Sequence, residues 1–288
     1  MVVCPEPGKP PMKRLSLLLL FVLAAAPPAN AHEFWLSPSR YRLATGDTLT
    51  VGAEVGTGFR GEAKPYAATR VRTLVTIGAK PIDLSKLGMN GDLVFARWIA
   101  PDAGGQLVGY TSDFATIQLP PADFDAYLKL EGLDAPLAAR AAAGPRAGPG
   151  RERYARCPKT WIAGGDAKRA EAVVGLPLEV VALGDPLAPG PLSVKVLWQG
   201  KPLAGALVGA WRQPLGERGA PRAEAARDSV APVTRVRTGR DGTARLPVAG
   251  DGEWMIATVH MVPSTDREVA DWESWWASYT FAREAKRP

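Results

Sequence analysis

Histidine and cysteine are almost missing from this chain: its 288 residues include two of each, His32 and His260, Cys4 and Cys157. So small a stock leaves no room for Cys/His zinc spacing or a disulfide framework. No Gly-rich loop leads a predicted strand into a helix to cradle phosphate, and no nucleophile–His–Asp arrangement can be read from the spacing. After residue 31 no stretch approaches the roughly 18–20 apolar residues of a membrane-spanning helix. These absences weigh against zinc modules, nucleotide enzymes, most hydrolases and a transmembrane helix in the mature chain. Nothing in the charge pattern suggests nucleic-acid recognition.

What is present begins at the amino terminus. Lys13 and Arg14, the apolar stretch from Leu15 to Ala26, and Ala29-Asn30-Ala31 have the layout of a secretory signal with an A-x-A cleavage site. Residues 1–31 are therefore read as a signal peptide and the mature protein as periplasmic. Cleavage makes His32 the first residue of a chain of 257. Cys4 falls inside the signal, so Cys157 is the one thiol left, and burial is its expected state. The signal carries two of the six net positive charges, leaving +4. Much of that charge lies in Arg140, Arg146, Arg151, Arg153 and Arg156, and in Arg212, Arg218, Arg222 and Arg227, in segments that read as solvated loops or linkers.

Alternation of apolar and polar residues predicts strands at 48–55, 71–77, 93–99, 107–111 and 115–119, separated by Gly, Pro and Asp clusters. Helical spacing of Phe124, Tyr127, Leu128, Leu133 and Leu137 predicts one helix over 123–140, with Asp123 as cap and Gly132 as a point of breakage. The Ala/Gly/Pro/Arg-rich stretch 141–150 reads as a flexible linker. Tyr154 to Ile162 returns as a late strand. Further strands are predicted at 178–182, 192–198, 206–211, 233–237, 243–246, 253–261 and 278–281, with turns at Gln199-Gly200-Lys201-Pro202 and Gly239-Arg240-Asp241-Gly242. The segment from Gln213 to Pro232 reads as a long excursion between strands. The fold expected is mainly β: two β-sandwich-like domains, at 32–165 and 175–288, the second immunoglobulin- or prealbumin-like, with one short helical insertion.

The scarcity of histidine gives each one weight. An N-terminal His32 offers its free α-amine and its imidazole Nδ1, which close a chelate ring around one ion. His260 ends the apolar strand from Trp254, and an imidazole there would supply a third nitrogen, completing a histidine brace. Such a set suits nickel, cobalt or copper. Glu33, Asp266, Asp271 and Glu273 are candidates to complete or orient it. Trp35, Trp272, Trp275 and Trp276 read as core, and as a carbohydrate platform only if exposed.

Several segments resemble the DUF4198 family of exported bacterial proteins, related to the periplasmic parts of nickel and cobalt uptake systems. They are Ala31-His32-Glu33-Phe34-Trp35-Leu36-Ser37-Pro38, Gly175-Leu176-Pro177-Leu178-Glu179-Val180-Val181 with Asp185-Pro186, and Gly200-Lys201-Pro202-Leu203-Ala204-Gly205-Ala206. Thr238-Gly239-Arg240-Asp241-Gly242 and the run from Gly252 to His260 extend the resemblance over nearly the whole mature chain. It implies two β-rich domains and the handling of a transition-metal ion outside the cytoplasm, with a separate envelope transporter as partner, and it implies no catalytic residues. The functional expectation is a metal-binding protein of uptake, delivery or buffering, with His32 and His260 as metal ligands. The alternatives are a copper-dependent oxygenase using the same brace and a non-catalytic scaffold or adhesion module.

Overall fold

The computed structural model describes residue 1 and residues 33–216, 220–222 and 230–284, so His32 and all of the predicted signal but Met1 lie outside the described residues. The first half supplies β1 (Glu33–Pro38), β2 (Thr48–Thr57), β3 (Arg60–Lys64), β4 (Val71–Ile77), β5 (Pro81–Asp83), β6 (Ala96–Ile99), β7 (Gly105–Ser112) and β8 (Ala115–Leu119). Helices α1 (Pro121–Leu130) and α2 (Asp134–Ala143) follow, and then β9 (Gly150–Ala163). The second half supplies β10 (Leu178–Leu183), β11 (Leu192–Trp198), β12 (Lys201–Pro202), β13 (Leu207–Gln213), β14 (Thr234–Arg237), β15 (Thr243–Leu246), β16 (Gly252–Pro263) and β17 (Trp272–Arg283).

Three sheets result, and the fold is mainly β and sandwich-like. One joins β1, β2 and β3 with β6 alongside β2, and another joins β10, β11 and β12 with β15 alongside β11. The third and largest runs β14-β13-β16-β17-β9-β7-β4-β5, with β8 on β9. It takes strands from both halves of the chain, fused by the parallel pairing of β17 with β9 from Trp272↔Glu152 to Thr280↔Thr160.

Side-chain alternation gives this central sheet two different faces. Trp254 and Ile256 of β16, with Ala277, Tyr279 and Phe281 of β17, pack on Leu178, Val180, Val194, Val196 and Leu246 of the second sheet. Their neighbours point the other way: Met255 and Ala257 meet Trp35, Phe59 and Trp211, and Val259, Met261 and Trp276 meet Phe124, Tyr127 and Leu128 of α1. β1 crosses this second face, where the Ser278 and Thr280 hydroxyls donate to the Phe34 and Leu36 carbonyls at 2.7 and 3.1 Å.

Four local expectations are corrected. Pro121, not Asp123, opens the helix over 123–140, which parts into two at Gly132, the expected point of breakage, at φ +65°, with the Leu133 N–H donating to the Leu128 carbonyl. The stretch 141–150 is an ordered corner, because the buried Arg140 guanidinium reaches Asp125 and the carbonyls of Ala147 and Gly148 before β9 begins at Gly150. Arg151, Arg153 and Arg156 belong to β9: Arg153 pairs with Glu273 and lies over Phe114, and Arg156 stacks on Tyr154 and Trp276. Finally, the turn at Gln199 and Gly200, at φ +49° and +74°, closes a two-residue hairpin onto β12, while Gly239 to Gly242 carries the chain from the central sheet to the second sheet. Of the predicted excursion at 213–232, residues 217–219 and 223–229 lie outside the described residues.

Candidate functional site

His260 stands opposite Trp275 in the β16–β17 ladder. Its ring lies 4.9 Å from Trp198, which in turn lies 4.4 Å from Trp275, so the imidazole belongs to the face turned to the second sheet. It is half-buried, and burial holds its pKa below the ordinary histidine value. Among the described residues its imidazole has no hydrogen-bond partner. Glu33, the first described residue of β1, lies on the opposite face of the same sheet, beside Ala257 and Trp276. The structure thus groups His260 with two tryptophans and not with the start of β1; His32 itself lies outside the described residues.

At the start of β1 the chain meets a small cavity of about 20 Å³, room for one water molecule. Glu33, Glu131 and Arg235 bring charge to it, and Phe34, Trp211 and Trp276 bring apolar wall. The Glu33 carboxylate accepts from the Gly58 N–H at 3.3 Å. Burial pushes its pKa up, against the pull of backbone N–H groups and of Arg235 and Arg156. Glu131, just past the end of α1, has no hydrogen bond or ion pair to its carboxylate among the described residues. Burial pushes it up to about 7, the Glu33 charge adds to the shift, and Arg235 and Arg156 oppose it. Beneath lies Glu152, also raised to about 7 by burial, although the Tyr127 and Ser274 hydroxyls donate to it and Arg156 faces it.

Glu131 escaped the sequence reading. One signal for it exists: a carboxylate at a helix C-terminus sits at the negative end of the dipole, where acidic residues are electrostatically out of place. The carboxylates proposed near His260 serve other purposes. Asp271 is clamped by Arg151 at 2.9 and 3.1 Å, Glu273 accepts from Arg153, Thr265 and Ser264, and Asp266 pairs with Arg153. Trp35, Trp275 and Trp276 are buried and Trp272 is half-buried, so these rings pack the interior and form no open platform. Cys157 is buried, as expected, and burial raises its thiol to about 12.

Among the described residues no three His, Cys, Asp or Glu side chains come together as a metal site. A centre at the start of β1 therefore requires residue 32 itself. No curated protein matches this chain. The family model described as Domain of unknown function (DUF4198) matches residues 29–262, from just before the predicted cleavage point to the end of β16. The match spans well over half of the sequence, and the chain belongs to the DUF4198 family.

Proposed function

We propose that this is an exported, periplasmic protein that binds one transition-metal ion at the start of its mature chain, as cargo for uptake, delivery or buffering. The observation that carries the reading is Glu131: a half-buried carboxylate with no hydrogen bond or ion pair among the described residues, lining the same cavity as Glu33, which in the chain directly follows the residue that signal cleavage would turn into a free amine and imidazole. An uncompensated carboxylate away from water is costly, and a cation relieves it. His32 would hold the ion through its α-amine and Nδ1, and Glu33 and Glu131 would add carboxylate oxygen or orient the ring. Nitrogen-rich sites of this kind favour nickel and copper over the earlier first-row ions, with cobalt between. His260 stays outside the ligand set, because its ring faces the other side of the central sheet. A separate envelope transporter is the natural recipient of the ion.

Calorimetry with Ni(II) and Cu(II) tests this on protein beginning at His32, on the same protein with one extra N-terminal residue, and on Glu131→Gln. The extension should abolish tight binding, Glu131→Gln should weaken it at least about tenfold, and His260→Ala should leave it unchanged. Affinity should rise from about pH 6 to pH 8, as the imidazole and the α-amine lose their protons. Equal affinity of the processed and extended chains would overturn the proposal.

A further inference from the structure

β13 pairs with β16 from Gln213↔Glu253 to Gly209↔Ala257 and stops there, while β17 stays paired with it as far as Pro263↔Trp272. The two strands part where the Thr258 hydroxyl donates to the Leu207 carbonyl at 2.8 Å, and Leu207 stays with Arg237 of β14. In the wedge a cleft of about 170 Å³ opens, between Leu203 and Leu207 on one side, Leu133 and Pro136 on another, and His260 of β16.

Three properties of the cleft limit what it can hold. Its walls are tied in place, because the Arg237 guanidinium donates to the Gly132 and Gly205 carbonyls at 3.2 and 2.7 Å and so links the α1–α2 turn to the turn before β13. Its charge is balanced: the same guanidinium pairs with Asp134 at 2.8 Å, and these two are the charged residues of its lining. Neither an anion nor a cation would find an unpaired partner there. What remains is the His260 imidazole, which has no hydrogen-bond partner among the described residues and whose pKa burial holds below the ordinary histidine value. At neutral pH such a ring offers one N–H donor and one bare nitrogen.

We propose that this cleft is a binding site for a neutral small molecule, a single ring bearing one hydroxyl, with its apolar body against Leu133, Leu203 and Leu207 and its hydroxyl on His260. An apolar cavity of roughly 150 Å³ takes up one benzene ring, so the space here matches a ligand of that size. A concave, mainly apolar wall with one or two placed polar groups is the usual form of a small-molecule site. A hydroxyl suits the neutral imidazole because it can donate to the bare nitrogen or accept from the N–H, whichever tautomer is present. The cleft shares one lining residue, Leu207, with the cavity at Glu33, and His260 has no part in the proposed metal centre, so the two readings stand or fall separately.

The probe is phenol, titrated into the full mature protein and followed by amide chemical shifts, with toluene as the ring that lacks a hydroxyl. Both should shift residues 132–136, 203–207 and 259–261, which line the cleft. His260→Phe keeps a ring beside Trp198 and removes both nitrogens. It should weaken phenol about three- to tenfold while leaving toluene bound as tightly as before or more so, a split that general loosening of the fold would not produce. Ala135→Trp, at an exposed position of α2 that borders the cleft, should fill it and abolish both titrations. Glu131→Gln should leave phenol binding unchanged, separating this site from the metal centre. The proposal is overturned by absence of these shifts at millimolar phenol or by phenol affinity that survives His260→Phe intact. Tighter binding of benzoate or benzylammonium than of phenol would also overturn it, since a charged ligand has no partner in a balanced cleft.

Discussion

Two places on opposite faces of the central sheet hold carboxylates in opposite ways: the Lys159–Glu179 pair and the cavity at Glu33. On the face turned to the second sheet, Lys159 and Glu179 are essentially inaccessible and form an ion pair at 2.8 Å. Glu179 also accepts from the N–H groups of Val174, Gly175 and Leu176. On the face turned to β1, the Glu33 carboxylate is held by backbone N–H groups alone, its own and that of Gly58 at 3.3 Å, and Glu131 has no hydrogen bond or ion pair among the described residues. A carboxylate that serves the fold has gathered donors on every side, whereas one that faces a cavity has been left short of them. The contrast marks which acids are architecture and which are available to a ligand.

Breaking the well-partnered side should cost most. Glu179→Ala strands the Lys159 ammonium in the interior and should destabilise the protein by about 3–5 kcal/mol in urea unfolding. A loss below about 1 kcal/mol would mean that the pair contributes little.

The pH dependence of stability examines the other face. Glu152 titrates near 7 in the folded protein against 4.5 for an ordinary glutamate, so the folded state holds its proton more tightly. Its stabilising contribution is complete below pH 4.5 and is lost as pH rises through 7, on the order of 3 kcal/mol. Metal-free protein should be harder to unfold at pH 5 than at pH 8, and Glu152→Gln should flatten that slope. A slope of opposite sign in this window would contradict the assignment.

Glu131→Gln sharpens the comparison further, since it removes an unpartnered charge. It should stabilise metal-free protein at pH 8 by about 1 kcal/mol, the reverse of Glu179→Ala, while weakening metal binding. The smallest effect concerns Cys157, which should be inert to thiol reagents in the folded protein and titrate fully in denaturant.

Much of the β architecture was legible because its strands alternate cleanly. Ala115–Leu119, Leu192–Trp198 and Thr243–Leu246 were read to the residue. β1 and the first half of β17 were not, since Glu33–Pro38 mixes aromatic residues with a terminal proline and Trp272–Trp276 does not alternate in polarity. The corner at 144–149 deceived because composition cannot show that Arg140 ties its carbonyls down. At the candidate site, scarcity made His32 and His260 conspicuous, yet sequence spacing could not tell on which face of a sheet His260 would stand. Glu131 was invisible for a related reason: its meaning comes from Glu33, nearly a hundred residues earlier, and only the fold sets the two on one cavity.

The parallel pairing of β17 with β9 governs when this molecule can finish folding. β17 is inserted between β9 and β16, so the chain's last strand is the keystone between its two halves. Until it arrives, two long edges stand bare, and their closure joins segments about 120 residues apart, a slow, high-contact-order step. A copy cut short before Trp272 would lack the seam altogether, so loss of the C-terminal strand should be far more damaging than its distance from the candidate metal centre suggests.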